Sequence, residues 1–186
     1  VTANADLEKA AQGLVASKYR NAGQTCVCAN RIYVHESVVD EFVGKFKSIV
    51  AEFKVGNGLE EGIDIGPLID ERAVKKVAEH LQDATAKGAK VLLGGTKREE
   101  QTGFFVEPTV LVNVTDDMLC MNQETFGPLA PIATFQTVEE VIDRANDTPY
   151  GLAAYVYSEN LSEAIRISEG LEYGIVGLND GLPSVA

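Results

Sequence analysis

Residues 16–35 read ASKYRNAGQTCVCANRIYVH, and three kinds of local structure follow one another within this stretch. Its first part closes a run over about residues 6 to 20, where Leu7, Ala10, Ala11, Leu14, Val15 and Lys18 share one face at helical spacing. Asn4 or Asp6 can cap the start of that helix, because either side chain accepts from the orphan N–H groups of a first turn. Asn21 to Thr25 is polar and holds Gly23, so the helix gives way to a loop. Arg31 to His35 is β-branched and aromatic and reads as a strand. Helix, short loop and strand in succession are the building unit of an α/β fold.

The alternation continues outward. Residues 37 to 53 set Val38, Val39, Phe42, Val43, Phe46, Ile49, Val50 and Phe53 on one helical face, and Glu60 to Pro67 is a loop. Residues 70 to 87 form a further helix, stopped by Gly88 in the manner of a glycine C-cap. Lys90 to Leu93 is a short strand closed by Gly94 and Gly95. Phe104 to Val114 is extended, and Pro108, which cannot donate to a ladder, predicts an edge strand. Leu129 to Phe135 is a strand, and Thr137 to Asn146 a helix with Thr137 as cap and Glu140 three residues on. Strand Leu152 to Tyr157, helix Leu161 to Leu171 and strand Tyr173 to Asn179 complete the series. Strands separated by helices predict an α/β fold with a mainly parallel sheet and helices on both faces. The 186 residues fit one domain, without repeat or internal linker.

Composition narrows the function classes. The hydrophobic share is 45% and the charged share 24%, as in soluble globular proteins. No apolar run approaches the ~20 residues of a membrane span, and no signal segment opens the chain, so a membrane partner is not expected. A net charge of -12 repels phosphate backbones, which argues against nucleic acid; an anionic substrate would need a local cation. The three cysteines, Cys26, Cys28 and Cys120, are too few and too odd for a disulfide scaffold, and imply a reducing, cytoplasmic setting. A zinc site is not expected, since C-x-C is tight and neither His35 nor His80 belongs to a ligand-spaced pair. The start at Val1 and the end at Ala186 read as cuts through a longer protein.

Two segments carry chemistry. Cys26 follows a small polar loop in which Gly23 lets the backbone turn closely and Thr25 can cap a short turn at the thiol; backbone N–H groups aimed at sulfur favour the reactive thiolate. Taken alone, such a cysteine is more often buried and inert. In Glu124-Thr125-Phe126-Gly127-Pro128 the Gly-Pro pair fixes a turn behind an acid that can bind ribose hydroxyls and a ring that can wall a flat heterocycle. An exposed loop acid and a core phenylalanine are the plainer reading of that segment by itself.

Together, GQTC and ETFGP resemble the aldehyde dehydrogenase superfamily. Gly66-Pro67-Leu68-Ile69-Asp70, Gly103-Phe104-Phe105-Val106-Glu107-Pro108-Thr109 and Asn146-Asp147-Thr148-Pro149-Tyr150-Gly151-Leu152 match it as well, in family order along the whole chain. Within the superfamily, YRNAGQTCVCANRIYV and GLEYGIVGLNDGLPS are most similar to the succinate-semialdehyde dehydrogenases.

The resemblance implies that residues 1–186 are a single catalytic, cysteine-bearing domain. The nucleotide-binding and oligomerisation domains, the general-base glutamate and an oxyanion-hole asparagine would lie outside the chain, leaving it inactive alone, and the full-length protein would be a homo-oligomer. It implies Cys26 as the nucleophile: the thiolate attacks the aldehyde to give a thiohemiacetal, the Cys26 N–H helps hold the oxyanion, hydride passes to NAD or NADP, and water hydrolyses the thioester. Glu124 matches the residue at the nicotinamide ribose and Phe126 the adjacent ring contact. Lys76 falls near a position that touches the adenine ribose, and reads equally as a solvated helix lysine. Arg20, six residues before Cys26, matches the arginine that binds the substrate's distal carboxylate, to which a guanidinium fork is suited; the plainer reading is a cation at a helix C-terminus. Ser184 matches a serine reaching the same carboxylate. Cys26 and Cys28 match a redox switch, although two extended residues at this spacing sit at the long limit for a disulfide, and a reduced Cys28 filling space is the alternative. Three rivals stand beside this reading: a dehydrogenase for another semialdehyde, a cysteine hydrolase, which needs a histidine base and has only His35 and His80 to draw on, and a noncatalytic interaction domain with a structural Cys26.

Overall fold

The computed structural model describes residues 1–95 and 103–182. Helix α1 (Leu7–Tyr19) begins where Asp6 accepts from the N–H groups of Glu8 and Lys9, so Asp6 rather than Asn4 is the cap. Its inner face carries Ala10, Ala11, Leu14, Val15 and, fully enclosed, Lys18. Helix α2 (Val39–Ala51) packs against it through aromatic rings: Phe42 stacks on Phe46 at 5.8 Å, and Tyr19 meets Phe46 at 6.1 Å and the edge of Phe53 at 5.8 Å. Helix α3 (Glu71–Ala86) is capped by Asp70 and is left through Gly88 at φ +102°, the left-handed exit that glycine takes without strain.

Four strands make the main sheet in the order β1-β4-β3-β2, where β1 is Ile32–His35, β2 Lys90–Leu93, β3 Thr109–Val112 and β4 Leu129–Phe135. The β1–β4 and β3–β4 ladders are parallel and β2–β3 is antiparallel. The short helix α4 (Leu119–Asn122) lies on the connection from β3 to β4. Strand β4 is the spine: along LAPIATF only Thr134 is exposed, the near-continuous apolar run of a strand covered on both faces. Pro131 sits inside it, but the ladder to β1 begins at the next residue, Ile132 opposite Ile32, so the missing N–H falls just before the first pair.

The second sheet has two parallel strands, β5 (Ala153–Val156) and β6 (Ile175–Leu178), accompanied by helices α5 (Val138–Asn146) and α6 (Leu161–Gly170). The α/β, mainly parallel character is as expected, but among the described residues the six strands fall into two sheets. One expectation is corrected. Strand β3 is interior and β2 is the edge; Pro108 stands one residue ahead of the ladder, whose first donor is the Thr109 N–H to the Pro128 carbonyl at 2.8 Å. Among the described residues no helix is long and apolar enough to cross a membrane.

Candidate active site

Beyond Tyr19 the chain reverses through three consecutive left-handed residues, Asn21, Ala22 and Gly23, at φ +51°, +56° and +76°. Glycine takes this conformation freely, whereas an L-residue with a Cβ loses roughly 1–2 kcal/mol. Bracing holds the turn: the Gln24 N–H donates to Asn21 O at 3.0 Å, and the Asn21 amide to Gln24 O at 3.1 Å. Gln24 Oε1 also accepts the Ile69 N–H at 2.9 Å, which ties the cysteine loop to the GPLID segment. A Cβ on Gly23 would lie 2.2 Å from the Gly127 carbonyl oxygen, so the GQTC and ETFGP loops meet backbone to backbone.

Cys26 sits in the turn that follows and is exposed. The turn closes through the Cys28 N–H on Thr25 O at 3.2 Å, while Thr25 Oγ1 is enclosed without a partner among the described residues and caps nothing. Tyr155 steadies the turn by donating its hydroxyl to Val27 O.

Asn30 is the residue that sequence reasoning missed. Its Oδ1 accepts the Thr125 N–H at 2.9 Å, and its Nδ2 donates to Cys120 O at 3.1 Å and Gln123 O at 3.2 Å. One amide thus fixes the backbone on both sides of Glu124. The only signal was its place at the end of the motif. From the opposite side Thr125 Oγ1 meets His80 Nδ1 at 2.9 Å, and burial lowers the pKa of that imidazole. The Glu124 N–H reaches the Tyr150 hydroxyl at 3.4 Å, bringing in the NDTPYGL segment. Phe126 is left-handed at φ +51° and is 37% exposed as a residue.

Cys26, Cys28, Asn30, Glu124, Tyr150 and Tyr155 line one cavity. Arg20, Phe126 and Lys76 are outside its lining: Arg20 is exposed at the C-cap of α1, and Lys76 is half-buried on α3. Ser184 lies outside the described residues. Neither histidine lines the cavity; His35 is engaged by Ser37 Oγ at 2.8 Å and Gln136 O at 3.0 Å.

The three thiols differ. Cys26 and Cys28 are both free, and the half-buried Cys28 directs Sγ at Gly23 O, 3.3 Å away. Burial pushes the Cys120 thiol up to about 11, so it stays protonated at neutral pH. Lys18 lies fully buried near this group, its Nζ without a hydrogen-bond partner among the described residues. Burial lowers its pKa, while the negative charge of Glu124 pulls it back up.

A model described as the aldehyde dehydrogenase family matches residues 1–186. The chain is 54% identical over 181 residues to the NADP(+) succinate-semialdehyde dehydrogenase of Escherichia coli (strain K12), covering 97% of this chain and 37% of that protein. It is 55% identical over 181 residues to a glutarate-semialdehyde dehydrogenase of Pseudomonas putida, with the same two coverages, 97% and 37%. The crystal structure of succinate-semialdehyde dehydrogenase from Burkholderia pseudomallei superposes with a TM-score of 0.96 at 53% identity, covering 99% of this chain and 38% of that one. The chain therefore spans a little over a third of the length of the proteins it matches.

Proposed function

Since this chain belongs to the aldehyde dehydrogenase family, we propose that residues 1–186 are the cysteine-bearing catalytic domain of an enzyme that oxidises succinate semialdehyde to succinate. The observation that carries the proposal is the convergence of an exposed Cys26 and the Glu124 carboxylate on one cavity. Cys26 as thiolate adds to the aldehyde carbon, and the carbonyl π electrons move onto oxygen to give a thiohemiacetal oxyanion, which the Cys26 N–H helps to hold. Exposure suits this role, because an electrophile must reach the sulfur, whereas Cys120 is sealed and its thiol raised. Both histidines are engaged elsewhere, which disfavours a cysteine hydrolase.

An NAD or NADP cofactor, when bound, supplies the hydride acceptor. Glu124 and Phe126 fit such a group: an exposed carboxylate and a partly exposed ring stand on one loop beside the nucleophile's cavity, suited to ribose hydroxyls and to the face of a heterocycle. The remaining domains of a full-length enzyme would supply most of the cofactor site, and the 186-residue chain alone is expected not to turn over aldehyde. A second reading, a semialdehyde one carbon longer, is favoured by the equal likeness to a protein named for glutarate semialdehyde.

Arg20 is the proposed cation for the distal carboxylate. A hydrogen bond to a charged group contributes roughly 1.5–3 kcal/mol, so in the full-length enzyme Arg20→Ala should lower kcat/KM for succinate semialdehyde by about tenfold or more. An uncharged aldehyde of similar length should lose much less, and Arg20→Lys should recover only part of the rate, keeping the charge but not the fork. Equal losses on both aldehydes would remove Arg20 from the substrate site. Cys26→Ser should abolish turnover in the same assay, and full retention would end the proposal.

A further inference from the structure

Helix α3 grips the segment from α4 to Gly127 at three points along one of its faces. Asp83 Oδ2 accepts the Leu119 N–H at 2.7 Å, at the first residue of α4. His80 Nδ1 and Thr125 Oγ1 stand 2.9 Å apart. Val77 lies against Gly127, where an added methyl would meet its Cγ2 at 2.5 Å. Positions 77, 80 and 83 follow at the three-residue spacing that sets side chains on one stripe of a helix. His80 is the odd member of the buried face of α3, whose other buried residues are Val74, Val77 and Ala84. It has no exposed surface, so its polar ring has left water to stand there. An apolar side chain would fill the stripe without that cost. What the imidazole adds is a hydrogen-bonding atom aimed at Thr125.

Glu124, Thr125 and Phe126 alternate: the first and third are exposed, and Thr125 between them is 1% exposed. Fixing the inward side chain therefore fixes the direction in which its two neighbours leave the surface. Asn30 Oδ1 holds the Thr125 N–H and His80 holds its Oγ1, so the residue is pinned at backbone and side chain from opposite sides. Phe126 needs that support, because its left-handed backbone is strained for a residue with a Cβ and persists only where its surroundings hold it. We propose that His80 is a positioning residue for the dinucleotide: through Thr125 it sets the direction of the Glu124 carboxylate and the Phe126 ring. Being fully enclosed, it touches neither cofactor nor reacting atoms. The inference rests on the reading of Glu124 and Phe126 as cofactor contacts. Without the His80 bond the loop samples other arrangements, and a dinucleotide has to order it on binding, which weakens affinity. The Cys26 turn is braced by separate bonds, from the Gln24 N–H to Asn21 O, the Cys28 N–H to Thr25 O and the Tyr155 hydroxyl to Val27 O.

The test uses the full-length enzyme and two variants of nearly equal size, His80→Leu and His80→Asn. Only Asn carries polar atoms near the place of Nδ1, as donor and acceptor, so it serves Thr125 whichever partner gives the proton. Calorimetric titration with NAD+ and with NADP+ should show His80→Leu binding the preferred dinucleotide about fivefold or more weakly than wild type, with His80→Asn recovering most of the loss. Thr125→Val, which deletes the hydroxyl and keeps the shape, should match His80→Leu, and Thr125→Ser should bind as wild type; this second pair carries the comparison if His80→Leu fails to fold. The double variant His80→Leu/Thr125→Val should be within about twofold of either single variant, because both remove one bond. Alkylation of Cys26 by iodoacetamide without dinucleotide, read by peptide mass, should stay within about twofold of wild type throughout. Unchanged affinity in His80→Leu, equal losses for Leu and Asn, or additive losses in the double variant would overturn the proposal. So would a parallel fall in Cys26 alkylation, the mark of general disruption. A wild-type enzyme that binds neither dinucleotide would overturn the reading of the loop and this inference with it, whereas tight wild-type binding indifferent to His80 overturns this inference alone.

Discussion

The four-stranded and two-stranded halves of this molecule use the same elements and bury them to different depths. In the first, β4 is enclosed along nearly its whole length and Phe42, Phe46, Leu111 and Leu129 have no exposed surface. In the second, β5 has one buried residue, Val156, and β6 has none; α5 is strongly two-faced in sequence yet has no buried residue. The buried residues Phe135, Val156, Ala164 and Ile167 stand apart from the main core cluster, on the side of the weaker half. The difference is one of neighbours rather than of residue type: a parallel strand is stable when both edges and both faces are occupied, and β5 has one edge served along its length.

Three measurements sharpen or break this contrast. The largest effect belongs to Phe46→Ala, which empties a fully enclosed site against Tyr19 and Phe42; the loss should be about 3–5 kcal/mol, read from the urea midpoint. Next comes Arg31→Met. The Arg31 guanidinium donates to Ala145 O at 2.6 Å, Arg144 O at 3.0 Å and the Tyr173 hydroxyl at 2.9 Å, linking β1 to the end of α5 and the approach to β6. Its loss should cost roughly 1.5–3 kcal/mol, seen as faster hydrogen exchange in α5, β5 and β6 with β3 and β4 little changed. The smallest effect should come from Leu178→Ala, 41% exposed on β6, at under about 1 kcal/mol. A Leu178→Ala loss as large as that of Phe46→Ala would mean that the halves unfold as one unit, and the contrast would be wrong.

Much of the fold was legible because its signals are local. Asp6, Asp70 and Thr137 each cap a helix by accepting an N–H within three residues, and Gly88 ends α3 in the left-handed conformation, so side-chain chemistry in a short window decides the boundary. Apolar runs located the strands but not their neighbours. Pro108 therefore reads as an edge marker although it stands just outside an interior strand, and the split into two sheets leaves no trace in any single run. The site divides in the same way. Cys26 and Glu124 were legible as residue types in motifs, and the structure brings both to one cavity. Asn30 was not legible as a clamp, since its bonds span separations of 90 to 95 residues and nothing near it in sequence shows which way its amide turns. Arg20 and Phe126 belong to the same motifs and Lys76 to neither, and all three stand outside that cavity's lining, because spacing along a chain fixes order and not direction.

The Gly23–Gly127 contact has a consequence for anyone who would redesign this pocket. Neither glycine lines the cavity, yet a methyl group on Gly23 would press on Gly127 O at 2.2 Å, and one on Gly127 would press on Val77 at 2.5 Å. The gap between thiol and carboxylate is thus set by two positions that a library drawn from cavity-lining residues leaves untouched. Variation at the two sites is coupled as well: a side chain tolerated at one would have to be accommodated by movement of the other loop, so their substitutions should be strongly epistatic. A directed-evolution campaign that samples them singly would score both as invariant and miss the joint backbone shifts through which this cavity can change width.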